Sequence, residues 1–502
     1  MGLLLGAPSF LLGLELTDEN RTDAFLFCIK KEFPVLDISR NDAGRLISVS
    51  NQDLQNFIDG NDIVDVQRWL PNANENDYDG DIFLNRIYSV HIGQDRETDL
   101  IRLISDISML ESVLYSEPQN IHRLLYIPND SNIGNQCSFS SVKAFNAFDF
   151  WDIPNGDYPG LNSNIEVVLA SVDTGVDYTH PDLRYNTWIN NGEVPPWILE
   201  IGFDLDGDGE LTAFEIISFL ESEAMDYNED GDYNLRDILH ENSPFMNGDD
   251  DDSNSYVDDI LGLDCSGYYG NSPPDSDPYP REGVANTGTW AHGTHVAGIL
   301  AATSDNGLGM ASTAFNGKIM SVKTSTDGPS TDDPGIWNGY EGILYSAQAG
   351  ADAGYLTIIN NSWGGGGFSN SEQSTINTAH NTYGAIVVAA AGNGLNSGGE
   401  QYAAHYPSSY DNVISVCAIG CSGSWGGWAT YHPSVDLAAP GESVYSAIIG
   451  SGYEMWDGSS MASPNAASVM GLVWSYYPEW SKEDVIEHVL ISADSSIYDF
   501  NP

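Results

Sequence analysis

At 502 residues the chain is long enough for two to four domains with ample core, and its 51 glycines describe a turn-rich globular protein. The charge is the anomaly: 73 acidic against 17 basic residues, a net of −56 at pH 7. Such a surface repels nucleic acid and anionic membranes and attracts cations, which argues against the first two as partners. The acidity is concentrated: residues 200–264 hold 21 acidic residues and a single Arg. The remainder is thinly but consistently acidic, as suits a saline extracellular setting.

Leu3–Leu14 is an apolar run of signal-peptide length without a basic flank or a clear cleavage site, so residues 1–19 read as a clipped or atypical signal. No later stretch reaches about 18 apolar residues, so no membrane-spanning helix is expected. Five cysteines are too few for a disulfide scaffold. Cys28 lies in the N-terminal region, while Cys137, Cys265, Cys417 and Cys421 permit two bridges or remain as buried thiols.

From residue 20 the pattern describes a small α+β unit. Ala24–Lys30 reads as a strand, Asn51–Asp59 as a short helix and Arg86–Ile92 as a strand. Glu97–Leu110 reads as a helix, apolar at 100, 101, 103, 104 and 107, and Glu111–Glu117 as a strand. The polar run Ile127–Asn132 places a boundary near residue 130. From 137 onward, buried strands alternate with helices. Strands are expected at Ile165–Val172, Ile319–Lys323, Leu356–Asn360, Ile386–Ala391 and Val413–Ala418, and helices at 293–303, 338–349, 371–383 and 462–477. This alternation predicts an α/β doubly wound domain over 131–502: a mostly parallel sheet flanked by helices, with its site at the carboxyl ends of the strands. An acidic segment, about 186–265, interrupts it.

Three stretches carry candidate chemistry. Ser171-Val172-Asp173-Thr174-Gly175 ends a buried strand in a carboxylate, which is costly there unless hydrogen-bonded. Strand-end Asp residues are also common turn formers. His292 and His295 open a helix crowded with small residues, in His292-Gly293-Thr294-His295-Val296-Ala297-Gly298. Zinc helices usually space His at i and i+4 with Glu between, so a zinc pair is the weaker reading. Gly458-Ser459-Ser460-Met461-Ala462-Ser463-Pro464 places a hydroxyl at a helix start, where it is either a cap or a nucleophile.

Together and in that order, these blocks resemble the three signatures of the subtilisin-like serine proteases, over residues 150–495; the order Asp, His, Ser is that family's known order. The resemblance implies Ser460 as nucleophile, His292 as general base and then acid, and Asp173 as its orienting partner. Ala389-Ala390-Ala391-Gly392-Asn393 matches the oxyanion-hole segment, with Asn393 donating its amide. Asn361-Ser362-Trp363-Gly364-Gly365 matches the substrate-binding edge. A peptide is expected to add there as a strand, its P1 side chain dropping between Ser362, Trp363 and Gly364 on one side and Ala391 and Gly392 on the other. Glu400 and Gln401 lie near the expected pocket base. Ser459 replaces the usual Thr, and Asn465-Ala466-Ala467-Ser468 replaces the usual His-Val-Ala-Gly. Residues 20–130 are expected to be a propeptide, both chaperone and inhibitor.

The acidic segment reads as calcium loops. Asp204, Asp206, Asp208 and Glu215, with Gly209 and Glu210, fit the EF-hand loop; Asp226, Asn228, Asp230, Asp232 and Asp237 form a second, dockerin-like loop. Asp250, Asp252, Asn254 and Asp258 form a weaker third that lacks Gly at position 6. Asp182 matches a family calcium ligand whose partner loop is not recognisable. The alternative to each is a solvated acidic loop. The expected protein is therefore a secreted, calcium-stabilised, monomeric endopeptidase made as a zymogen and acting on proteins or peptides. Two other readings are a calcium-dependent adhesion module with a degenerate protease domain, and an esterase using Ser460 with Asp484 and His488.

Overall fold

The computed structural model describes residues 20–41, 43–61, 63–92, 100–121, 126–159, 167–265, 275–281, 283–326, 334–394, 404–424 and 427–495. The apolar leader, residues 97–99 of the expected helix, residues 165–166 of the first expected strand of the second domain, and Glu400 and Gln401 lie outside these residues. The chain divides into two compact units, Met1–Leu124 and Leu125–Pro502.

The first unit is an antiparallel sheet of β1 (Asn20–Ile29), β2 (Asp65–Arg68), β3 (Ile87–His91) and β4 (Val113–Asn120), in the order β2-β3-β1-β4. Helix α1 (Gln52–Gly60) starts where the Asn51 side chain accepts the N–H groups of Asp53 and Leu54. In α2 (Leu100–Ser108), Leu100, Leu103, Ile104 and Ile107 are buried at helical spacing, and Ile101 falls off that stripe to the surface. The stripe joins Phe25, Phe27 and Val90 of the sheet in one core.

The second unit is built on seven parallel strands: β5 (Val167–Asp173), β6 (Gly262–Asp264), β7 (Lys318–Lys323), β8 (Leu356–Asn361), β9 (Ile386–Ala390), β10 (Val413–Ile419) and β11 (Leu437–Pro440). Their order is β6-β7-β5-β8-β9-β10-β11, so the winding reverses at β5. Successive residues of β5 serve opposite faces, as the pleat requires. Val167 and Leu169 join one core with Val296, Leu300, Ala466 and Met470; Val168, Ala170 and Val172 join the other with Ile343, Ala347 and Ile376. The first core is covered by α5 (His292–Ala301) and α8 (Ser459–Tyr476), the second by α6 (Gly339–Asp352) and α7 (Asn370–Asn381). The acidic segment holds α3 (Ala213–Glu223) and α4 (Leu235–Ile238) around its own apolar core, which includes Leu211, Ile216, Leu220, Leu235, Ile238 and Phe245.

The short edge strands β6 and β11, and the hairpin of β12 (Val444–Ile448) and β13 (Gly452–Trp456), go beyond the sequence reading. A disulfide joins Cys137 to Cys421, 284 residues apart, while Cys28, Cys265 and Cys417 are free thiols. No helix among the described residues is long and apolar enough to cross a membrane. Helix α9 (Lys482–Ser492) closes the described chain. Its Asp484 accepts the N–H and hydroxyl of the cap residue Ser481, which leaves it a capping residue and removes the esterase reading.

Candidate active site

The winding reversal at β5 opens a crevice at the carboxyl ends of the strands, and Asp173 is the last residue of β5. It is 1% exposed. Its Oδ1 accepts the Thr174 N–H at 2.7 Å and faces Nδ1 of His292 at 2.8 Å. Helix α5 can bring His292 so close because residue 293 is Gly: a Cβ there would stand 2.3 Å from the Gly175 carbonyl oxygen. Thr174 Oγ1 accepts the Gly293 N–H at 2.9 Å and locks the two segments together. Burial lowers the His292 pKa, but the Asp173 charge and hydrogen bond outweigh it, and the net direction is upward from 6.5. One turn along α5, His295 stacks on Trp456 and faces the Glu454 carbonyl at 3.1 Å; burial holds its pKa at about 3, so it stays neutral. The two histidines thus have separate partners, unlike a zinc pair.

Ser460 lies in the first turn of α8, and the helix around it is tied to β8. Pro464 has no N–H to give the carbonyl four residues earlier, that of Ser460. Ser362 Oγ fills the gap, donating to Ser460 O at 2.8 Å. Ser362 Oγ accepts from Asn360 Nδ2 at 2.9 Å, and Asn360 Oδ1 accepts from Ser463 Oγ at 2.6 Å. Ser460 Oγ itself donates to Ser362 O at 2.9 Å. Ser460, His292 and Asn393 line one open cleft of about 360 Å³ together with Met455, Trp456 and Asp457. In this rotamer the Ser460 hydroxyl must leave Ser362 before it can give its proton to an imidazole, a common arrangement without substrate.

Asn393 follows β9 and is oriented by Ser459. Its Oδ1 accepts from both the N–H (2.8 Å) and the hydroxyl (2.9 Å) of Ser459, and Ser459 Oγ accepts the Gly392 N–H at 3.1 Å. With Oδ1 fixed, the Asn393 amide nitrogen has no partner among the described residues and is available at the cleft it lines. The other departures are absorbed by hydrogen bonds. Asn465 Nδ2 donates to Pro440 O and Met461 O at 3.0 and 3.1 Å, and Ser468 Oγ accepts the Ala314 N–H at 2.8 Å.

Of the expected substrate edge, Ser362 touches Ser460 as described, and Trp363 turns inward, its indole donating to Val172 O at 2.8 Å. Gly364 and Gly392 face the His405 ring from two sides: a Cβ on them would stand 2.2 Å and 3.5 Å from it. Ala391 is buried, its N–H donating to Val416 O at 2.9 Å. His405 follows residues outside the described set and carries no motif, so sequence reasoning passed over it.

The three acidic loops share one backbone geometry. The N–H at position 6 bonds the carboxylate at position 1 in each: Gly209 to Asp204 (3.1 Å), Gly231 to Asp226 (3.0 Å) and Ser255 to Asp250 (3.0 Å). The N–H at position 5 bonds the side chain at position 3 through Asp208–Asp206, Asp230–Asn228 and Asn254–Asp252. Position 6 is left-handed throughout, at φ +95° and +92° for the glycines and +79° for Ser255. Position 7 bonds back to position 5, as in Glu210 to Asp208 and Asp232 to Asp230.

The loops differ in how they close. Glu215 and Asp237, at position 12, accept the position 2 N–H groups of Leu205 and Tyr227. In the third loop position 12 is Leu261, and a buried acid from elsewhere takes over: Glu193 accepts the N–H groups of Asp252 (3.0 Å) and Asp258 (2.9 Å). Asp258 instead accepts the N–H groups of Asn247 and Gly248, outside the carboxylate cluster.

Asp204, Asp206 and Glu215 bring carboxylate oxygens within 4.8 Å of one another, as do Glu193, Asp252 and Asp259. Oxygens at that separation can share a cation at about 2.4 Å from each, the calcium distance. Burial, with the Asp259 and Asp252 charges, pushes Glu193 up to about 8, and burial pushes Asp259 up to about 6. Asp226 Oδ1 and Asp250 Oδ1 are buried without a partner among the described residues. These donor sets fit a hard divalent cation. Asp182 does not: Asn306 Nδ2 (3.0 Å), the Met310 N–H (2.8 Å) and the Tyr453 hydroxyl (2.7 Å) all donate to it. Three donors satisfy that carboxylate without a cation.

A carboxylate-braced imidazole, a hydroxyl at a helix start and a free amide on one cleft are suited to acyl transfer. Similarity to known proteins agrees with that chemistry. Over 202 residues the chain is 37% identical to thermitase of Thermoactinomyces vulgaris, covering 40% of this chain and 65% of that protein. It is 36% identical over 200 residues to subtilisin DY of Bacillus licheniformis, covering 40% and 69%. Similarity to the halolysin-like extracellular serine protease Nep of Natrialba magadii is longer: 28% over 379 residues, covering 76% of this chain and 51% of that protein. Residues 164–500 match the subtilase family, two thirds of the chain and every element of the cleft, and the protein belongs to that family.

Proposed function

We propose that this subtilase is a secreted serine endopeptidase, made as a zymogen and stabilised by calcium. One observation carries the reading: His292, held by Asp173 at 2.8 Å, opens on the cleft that Ser460 and Asn393 also line. Ser460 Oγ attacks the peptide carbonyl as His292 Nε2 takes its proton, and the Asn393 amide donates to the developing oxyanion. His292 then protonates the leaving amine, and water, activated by the same imidazole, releases the acyl group. Asp173 stays ionised throughout and holds the imidazolium.

Calcium would be held by Asp204, Asp206 and Glu215, by Asp226 and Asp237 with Asn228 and Asp230, and by Glu193, Asp250, Asp252 and Asp259. When bound it supplies positive charge that lets these carboxylates pack together, a stabilising rather than a chemical role. Residues 20–130 act as inhibitor and chaperone until removed; an active protein that never cleaves near that boundary would refute this. The Cys137–Cys421 bridge and the extracellular relative support secretion.

Casein hydrolysis by the wild type and by Ser460→Ala, each with and without a calcium chelator, tests the reading. Ser460→Ala should lose activity by about four to six orders of magnitude, and chelation should shorten the active lifetime of the wild type. Equal activity of the two proteins overturns the mechanism, and indifference to chelation overturns the role of calcium.

A further inference from the structure

The endopeptidase reading leaves open which side chain the acyl side of the cleft admits. The residue bonded to Ser460 during catalysis has its carbonyl oxygen at Asn393 and its Cα one bond from the reacting carbon. Its side chain must therefore enter the space flanked by the two segments that bracket the nucleophile. One is the β8 extension, tied to Ser460 by the two Ser362 hydrogen bonds. The other is the β9 extension, tied to it through Ser459 and Asn393. Glycine on both segments, Gly364 and Gly392, gives that space smooth walls.

The space is not empty between those glycines, because the His405 imidazole is wedged there. A Cβ on Gly364 would stand 2.2 Å from His405 Cε1 and 2.4 Å from Nδ1; one on Gly392 would stand 3.5 Å from Cδ2 and Cγ. The ring is placed by one contact of its own and by the hydrogen bonds of its backbone. Nδ1 lies 3.4 Å from Ala390 O, the His405 N–H donates to Ser409 Oγ at 3.0 Å, and the His405 carbonyl accepts from Ser408 Oγ at 2.6 Å and the Ser409 N–H at 2.7 Å. Thr430 Oγ1 backs the Gly392 wall, 3.0 Å from where a Cβ would stand, and accepts the Gly394 N–H at 2.9 Å. A side chain entering the slot meets an aromatic ring packed between two backbone walls instead of a void, and overfilling such a site is unfavourable.

We propose that His405 is the specificity-determining residue of the acyl-side pocket: its ring floors the slot and restricts the residue before the scissile bond to short side chains, excluding aromatic and long aliphatic ones. This rests on the endopeptidase reading. It gives Gly364 and Gly392 a purpose, since any side chain on Gly364 would collide with the ring.

The test uses peptide p-nitroanilides that differ only in the residue before the scissile bond, Ala, Leu or Phe, with the processed wild type and His405→Gly. Enzyme concentration is set by labelling Ser460 with a fluorophosphonate. The wild type should favour Ala over Phe by about tenfold or more in kcat/KM, and His405→Gly should raise the Phe-to-Ala ratio by about tenfold or more. General damage to the fold would lower all three substrates together and leave the ratio unmoved. An unchanged ratio in a His405→Gly protein that labels normally overturns the proposal. So does a wild type that cleaves Phe as well as Ala, which decides the matter even if the variant fails to fold. Absence of both labelling and hydrolysis in the wild type would instead refute the endopeptidase reading.

Discussion

The cleft and the acidic segment solve the same problem, charge and polarity out of water, in opposite ways. In the cleft the groups that carry the geometry are answered from within the protein: Asp173 Oδ1 by His292, the Ser460 carbonyl freed by Pro464 by Ser362, Asn393 Oδ1 by Ser459, while Asp173 Oδ2 and His295 Nδ1 are buried without a partner among the described residues. In the acidic segment carboxylates confront carboxylates. The single Arg of residues 200–264, Arg236, lies over the Tyr279 ring at 4.4 Å. A carboxylate braced by an imidazole needs no ion from outside; carboxylates that face one another are relieved by a cation drawn from solvent. On the proposed reading the chemistry sits in the first, and the need for calcium in the second.

The sharpest way to break this contrast is at Asn393. If its amide is the preorganised donor described above, Asn393→Ala should lower kcat by about 10²–10³ with little change in KM, the loss known from subtilisin, the reference case for such a donor. Steady-state kinetics on a peptide anilide decides it, and a loss confined to KM would reassign Asn393 to binding. A smaller effect separates the loops. Glu215→Gln should weaken calcium binding by about ten to a hundredfold at the first loop and lower the thermal midpoint in calcium, leaving kcat of the folded enzyme intact. Calorimetric titration and unfolding curves with and without chelator measure this, and an unchanged midpoint would show that the loop stands without an ion.

The gentlest probe is pH. Because Asp173 outweighs burial and raises His292 above 6.5, the neutral base is the form favoured at higher pH. kcat/KM should therefore fall about tenfold per pH unit on the acid side, with a midpoint above 6.5. An acid limb centred below that value would mean that burial, not Asp173, governs the imidazole.

Much of the architecture was legible because it rests on local rules. Five buried strands and four helices lie within a few residues of where the apolar runs placed them, and Asp173, His292, Asn393 and Ser460 each sit at the end of such an element. What escaped notice depends on partners distant in sequence. Glu193 meets Asp252 across 59 residues, and no local pattern announces it. The third loop looked deficient for lack of Gly at position 6, yet Ser255 takes the left-handed conformation there and closes the same turn. Asp182 had the motif of a cation ligand, but its environment was supplied by Asn306 and Tyr453, far along the chain. The edge strands β6 and β11, three and four residues long, are too short to show a period of two.

The bridge between Cys137 and Cys421 bears on how such a molecule ages. Asp173, His292 and Asn393 lie inside the span it closes, and Ser460 lies beyond it. A peptide-bond cut in the acidic segment divides the polypeptide but not the molecule. The piece bearing the nucleophile stays tethered to the piece bearing Asp173 at a high effective concentration instead of diffusing away. Wear in the acidic segment need not end the working life of the cleft, and a nicked molecule would migrate as whole until its sulfur link was reduced.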